Sequence, residues 1–101
     1  MAAMNINHQK YQELLQADKP LLVDFWAPWC SYCRRIGPAY DKVADQHSDD
    51  LSVVKVNIDE EPELANEYQI MSIPSLMVMV DGKIVNRSVG AKPKAQILEM
   101  L

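Results

Sequence analysis

Two spacings of apolar residues alternate along this chain. LLVDFW, Leu21 to Trp26, is apolar on both faces apart from Asp24, as a central strand covered on both sides should be. LSVVKVNI (Leu51 to Ile58) and SLMVMV (Ser75 to Val80) have the same character, and MNI (Met4 to Ile6) is a short candidate edge strand. Between these runs the period lengthens. Tyr11, Leu14 and Leu15 share one helical face after Asn7, a good N-cap, and Pro20 ends the element. Cys33, Ile36, Gly37, Tyr40, Val43, Ala44 and His47 fall on another, with Arg34, Asp41, Lys42 and Asp45 opposite. Pro38 interrupts that pattern and predicts a kink, because proline removes a backbone donor and crowds the preceding turn.

The remaining elements follow from local signals. Asp59, Glu60 and Glu61 predict the acidic start of a short helix carrying Leu64, Ala65 and Tyr68. Asp81-Gly82 predicts a tight hairpin joining Ser75–Val80 to KIVNRSV. Past Gly90, Pro93 suits the first position of a last helix with Ile97, Leu98 and Leu101 on one face. The order β-α-β-α-β-α-β-β-α requires parallel crossovers first and an antiparallel hairpin last. Helices must then cover both faces of a mixed α/β sheet.

Length and composition fit this picture. A chain of 101 residues is expected to form one domain, residues 1–101, with no repeat or linker dividing it. Nearly half the residues are hydrophobic, 49%, so a core can form without a staple or a metal. The net charge is −4 and the basic residues are scattered, which argues against nucleic acid as a partner. The apolar runs are strand-sized, so no membrane span is expected. The first twenty residues lack the basic and apolar blocks of an export signal, and a cytoplasmic location is expected.

The two cysteines, Cys30 and Cys33, sit three positions apart between a strand-like and a helix-like run. A staple closing so short a loop contributes only about 2 kcal/mol in the chain-entropy model. A structural zinc site needs four ligands and this pair supplies two; His8 and His47 do not stand at ligand spacing. A redox pair fits the spacing best. Residues i and i+3 of a first helical turn lie about 5 Å apart, inside the range a disulfide requires. The helix N-terminus favours a thiolate at Cys30, while Cys33, one turn in, can resolve a mixed disulfide.

Asp24 and Lys55 form a second constellation. Burial should raise the Asp24 pKa, and Lys55 on a matching strand would partly neutralise the charge; a buried carboxylate there could take a proton from the resolving cysteine. A solvated edge-strand pair is the alternative. Ile73-Pro74 directly precedes a buried strand, and either a cis peptide in a tight turn or an ordinary loop proline suits that place.

Taken in order, VDFWA, WC-x-x-C, Pro38 five residues after Cys33, VNID, IPS, DGK and VGA resemble the thioredoxin family, and the similarity runs from about Ile6 to Leu101. The resemblance implies the thioredoxin fold, a three-layer α/β/α sandwich, and a dithiol–disulfide oxidoreductase that reduces protein disulfides. It implies that Cys30 attacks, Cys33 resolves, Asp24 is the buried carboxylate and Lys55 its partner. Pro74 would be a cis-proline facing the cysteines, with the Ile73 backbone pairing with substrate and Trp29 and Gly90 lining the docking surface. It implies a monomer with no bound cofactor, recharged by an NADPH-dependent flavoprotein, thioredoxin reductase. The departure is Ser31-Tyr32, where the family pattern has Gly-Pro. A hydroxyl at Ser31, a ring at Tyr32 in place of proline, and Arg34 one turn in all tend to favour the thiolate. Stabilising the reduced form makes a disulfide more oxidising, so a weaker reductant is expected. Ser72, in place of a family glycine, and Met71 are expected near the partner surface.

Overall fold

The computed structural model describes residues 3–101. The strands are β1 (Met4–Asn5), β2 (Leu21–Trp26), β3 (Ser52–Asn57), β4 (Ser75–Val80) and β5 (Lys83–Val89); the helices are α1 (His8–Leu15), α2 (Ser31–Gln46), α3 (Pro62–Glu67) and α4 (Lys94–Glu99). They form one five-stranded sheet in the order β1-β3-β2-β4-β5. β3 is parallel to both β1 and β2, and β4 is antiparallel to both β2 and β5.

β2 takes the central place because its sequence tolerates burial on both faces. Leu21, Val23 and Phe25 point to one side, where they join Tyr11 of α1, Leu64 of α3, and Met77 and Met79. Leu22 points to the other, against Ile36, Tyr40 and Val43 of α2 and Ile97 of α4. Burying each such large apolar side chain stabilises the fold by roughly 1.5–3 kcal/mol. The result is the three-layer α/β/α sandwich that the strand and helix pattern requires. Among the described residues no helix is long and apolar enough to cross a membrane.

Some boundaries differ from the sequence reading. β1 stops at Asn5, and Ile6 enters the core instead. α2 does run through Pro38 as one helix, as the sequence pattern requires. The three acidic residues do not open α3: Asp59 and Glu60 lie in a turn closed by the Glu60 and Glu61 N–H groups on Asn57 O, and Pro62 begins the helix. Proline's fixed φ and missing donor suit the first helical position. Pro93 is instead the N-cap of α4, with extended backbone and no side-chain cap, and Leu101 lies exposed beyond that helix. Asp81 and Gly82 both adopt positive φ, 53° and 77°, the signature of a two-residue hairpin turn. On edge strand β5 the register slips opposite Val78 and Met79, leaving Val85 unpaired, a bulge of the kind that blunts sheet edges.

Tyr40 ties α2 to the sheet. Its hydroxyl lies 2.6 Å from Val54 O and 3.0 Å from Leu22 O and donates to these β3 and β2 carbonyls. Burial raises the phenol's pKa, with the nearby Asp24 charge adding to the effect, so it remains a neutral donor. Replacing Tyr40→Phe should lower the unfolding free energy by about 1–2 kcal/mol, the net worth of one buried hydrogen bond. Urea unfolding with an unchanged slope would register this; a midpoint equal to wild type would show that the hydroxyl adds nothing.

Candidate active site

β2 delivers the chain to the site. After Trp26 a turn closes with Cys30 N–H donating to Ala27 O at 3.1 Å, and α2 begins at Ser31 with Cys30 as its N-cap. The cap is a sulfur: Cys30 Sγ accepts the Cys33 N–H at 3.1 Å. Serine or aspartate would ordinarily fill this position, because the first helical N–H groups lack partners. Cys30 and Cys33 are joined by a disulfide with Cα atoms 5.3 Å apart. Their exposures are nearly equal, 6% and 5%. In the oxidised state the two therefore differ by place on the helix and not by openness. Cys30 Sγ also lies 3.8 Å from Ile73 O.

Ile73-Pro74 is a cis peptide, which settles the two alternatives for that turn. Pro74 O accepts the Gly90 N–H at 2.9 Å, so the loops before β4 and after β5 meet there. Gly90 has φ +97°, a conformation glycine adopts at little cost. The Ser75 hydroxyl donates to Ser72 O and braces the same turn.

Asp24 lies beneath α2 and is 1% exposed. The solvated edge-strand alternative is thereby excluded, since β2 is central. Asp24 is in register with Lys55 of β3. Desolvation pushes its pKa up to about 7; Lys55 lowers it, and Asp41 raises it a little. Among the described residues Asp24 Oδ1 has no hydrogen-bond partner, consistent with a carboxyl that is reluctant to ionise. The Lys55 ammonium sits 4.3 Å from the Trp26 ring centroid, and the Trp26 indole N–H donates to Asn5 Oδ1 at 2.7 Å. Lys55 thus lies over a ring while its charge acts on the Asp24 carboxyl.

Two large exposed side chains adjoin the cysteines in sequence, Trp29 at 65% and Tyr32 at 57%, and Met71, two residues before Ile73, is 94% exposed. The Trp29 indole N–H donates to the Asp59 carboxylate at 3.1 Å. Ser31 is exposed, and the hydrogen bond at Cys30 Sγ comes from the Cys33 backbone, not from the Ser31 hydroxyl. Arg34 folds back, donating to Pro28 O at 2.9 Å, while the Arg35 guanidinium lies 5.3 Å over the Tyr32 ring. Sequence reasoning missed Asp59 as the partner of Trp29, and Arg35 altogether. The i, i+3 spacing of Tyr32 and Arg35 was the available signal for the second. A crevice of about 210 Å³ lined by Met4, Ile6, Leu14 and Val53 lies between β1, α1 and β3 and contains none of these residues.

A disulfide spanning the first turn of a helix, on this sheet, defines a thiol–disulfide oxidoreductase, and the comparisons agree. The family model described as Thioredoxin matches residues 2–101, and the chain belongs to the thioredoxin family. It is 51% identical over 90 residues to Thioredoxin 1 of Synechococcus elongatus, covering 89% of this chain and 84% of that one. It is 42% identical over 96 residues to the thioredoxin of Alicyclobacillus acidocaldarius, covering 95% and 91% respectively. A solved thioredoxin from Malassezia sympodialis superimposes with a TM-score of 0.88 at 29% identity, covering 98% of this chain and 88% of that one. The activity is that of a thioredoxin-type disulfide reductase, with the Cys30–Cys33 disulfide as its redox-active group.

The Asp24 environment generates a pH dependence. Its carboxyl ionises less readily folded than unfolded, so protonation favours the folded state. This stabilising contribution is complete below about pH 4, the unfolded value, and is lost as pH rises through about 7. The stability of Asp24→Asn relative to wild type, both oxidised, should therefore increase between pH 4 and pH 8 by on the order of 2–4 kcal/mol. A difference independent of pH would contradict the buried, raised carboxyl.

Proposed function

We propose that residues 1–101 act as one domain and one electron carrier, with Cys30 attacking substrate disulfides and Cys33 resolving the intermediate. In the reduced protein the Cys30 thiolate attacks a substrate sulfur, forming a Cys30–substrate disulfide and releasing the substrate's other sulfur as a thiolate. Cys33, deprotonated, then attacks Cys30 Sγ. That step closes the Cys30–Cys33 disulfide and releases the second substrate thiol. Two electrons pass from protein to substrate, and the released thiolates take up the protons. The observation that carries this assignment is Cys30 Sγ accepting the Cys33 N–H at the α2 N-terminus. That donor and the positive helix end favour negative charge on Cys30.

Asp24 is the proton acceptor for Cys33 in this reading. It lies beneath the same helix, and a carboxyl poised near neutrality can both take and return a proton at working pH. Lys55 limits how far its pKa rises. An extended substrate segment pairs with the Ile73 backbone beside Pro74, with Trp29, Ser31, Tyr32 and Gly90 around it. Electrons come from an NADPH-dependent flavoprotein reductase, the working form is a monomer, and the compartment is the cytoplasm; family membership supports this reading. The Ser31-Tyr32 dipeptide removes proline from the first turn, and Arg34 and Arg35 stand at its side. Both features favour the thiolate and make this a weaker reductant than a Gly-Pro thioredoxin.

The roles of the two cysteines separate experimentally. With dithiothreitol as electron source, Cys30→Ser should abolish catalysed insulin reduction. Cys33→Ser should accumulate a covalent protein–substrate adduct that dithiothreitol releases, seen by intact mass. An adduct on Cys30→Ser instead would reverse the assignment. Partner-dependent function that survives Cys30→Ser would favour a binding module over an enzyme.

A further inference from the structure

The charged groups bordering the disulfide are arranged unevenly. The first turns of α2 present Arg34 and Arg35, and the turn after β3 presents Asp59 and Glu60, all exposed. Two of these charges are already engaged: Arg34 with Pro28 O and Asp59 with the Trp29 indole. Arg35 differs. Its guanidinium lies over the Tyr32 ring at 5.3 Å, and among the described residues no carboxylate forms an ion pair with it.

Stacking holds a guanidinium without consuming its N–H groups. A cation–π contact is worth about 0.5–1 kcal/mol at an exposed site, and the edges of the planar fork remain free for a carboxylate. The ring that holds it belongs to Tyr32, between the two cysteines in sequence. A substrate segment docked at Cys30 meets the start of α2, where Tyr32 stands two positions after the attacking sulfur, and Asp59 is joined to Trp29, one position before it. Arg35 would attract an acidic side chain on one flank of the attacked cysteine, and Asp59 and Glu60 would disfavour one on the other.

We propose that Arg35, positioned by Tyr32, is a specificity determinant that selects substrate segments carrying a carboxylate on the flank facing α2. The inference rests on Cys30 being the attacking group. It concerns which disulfides react fastest, not whether they react.

The test uses two single-cysteine peptides of the same composition, each capped as a disulfide with neutral 2-mercaptoethanol. One places Glu before and Lys after the cysteine, and the other reverses them. Because the two differ only in order, their ratio of kcat/KM cancels any general loss of activity in a variant. Wild type should favour one order by about two- to fivefold at low salt, the range of an exposed ion pair, and the preference should shrink as ionic strength rises. Arg35→Ala should weaken the preference, Arg35→Glu should reverse it, and Tyr32→Phe, which keeps a ring, should retain it. Equal rates for the two orders in wild type would overturn the inference alone, as would a preference that Arg35→Glu leaves unchanged. Failure of wild type to reduce either peptide would overturn the reductase reading and this inference with it.

Discussion

The structure turns on the unpaired N–H groups at the start of α2 and the sulfur that meets them. A helix beginning immediately after a central strand must satisfy its first donors locally. Here Cys30 occupies the place usually taken by a small polar cap and accepts from the Cys33 N–H. That bond aims Cys30 along the helix, sets Cys33 one turn away at disulfide distance, and directs the positive end of α2 at the more N-terminal sulfur. The buried faces on either side of β2 hold the arrangement in place. Tyr40 anchors the helix to β2 and β3, and the cis turn at Pro74 brings Ile73 O against Cys30.

A second constraint opposes the first. Asp24 interrupts an otherwise apolar strand, and its carboxyl remains in a position where ionisation is costly. Replacing it with an apolar residue of similar size would relieve that cost, since unpaired buried charge is among the more destabilising features a core can carry. Lys55 relieves it only in part, because the cost of desolvating the carboxyl exceeds the attraction of the Lys55 charge. In the proposed mechanism the group that lowers stability is also the one that serves Cys33, and such conflicts between stability and chemistry are concentrated at functional sites.

Much of this was legible in the residues. The doubly apolar LLVDFW placed β2 at the centre, the change of period after Cys30 placed α2, and Asp81-Gly82 placed the hairpin, because each depends on local spacing or turn chemistry. Asp24 stood out for the same reason, as the one charge in a buried run. Boundaries were less clear. Asp59, Glu60 and Glu61 look like the acidic first turn of a helix, yet Asn57 O captures two of their N–H groups and delays α3 to Pro62. The isomer at Pro74 was undecided because both isomers are compatible with a proline before a strand. Near-equal burial of the two cysteines was hidden, since the turn that meets Cys30 at Ile73 comes from more than forty residues further along the chain. Trp29 with Asp59 was hidden in the same way, being thirty residues apart. Arg35 over Tyr32 was overlooked although it is local, because the reading of the first turn stopped at Ser31, Tyr32 and Arg34, and the structure gives the two arginines separate partners.

The most direct test of the account is the equilibrium of the Cys30–Cys33 couple against graded dithiothreitol or glutathione buffers, read by Trp26 and Trp29 fluorescence. If the α2 N-terminus, with Ser31-Tyr32 between the cysteines and Arg34 and Arg35 after them, holds the reduced form as described, a single two-electron transition should appear tens of millivolts above the thioredoxin value of about −270 mV. A transition at or below that value would contradict the tuning assigned to this first turn, and the absence of any transition would contradict the redox role itself.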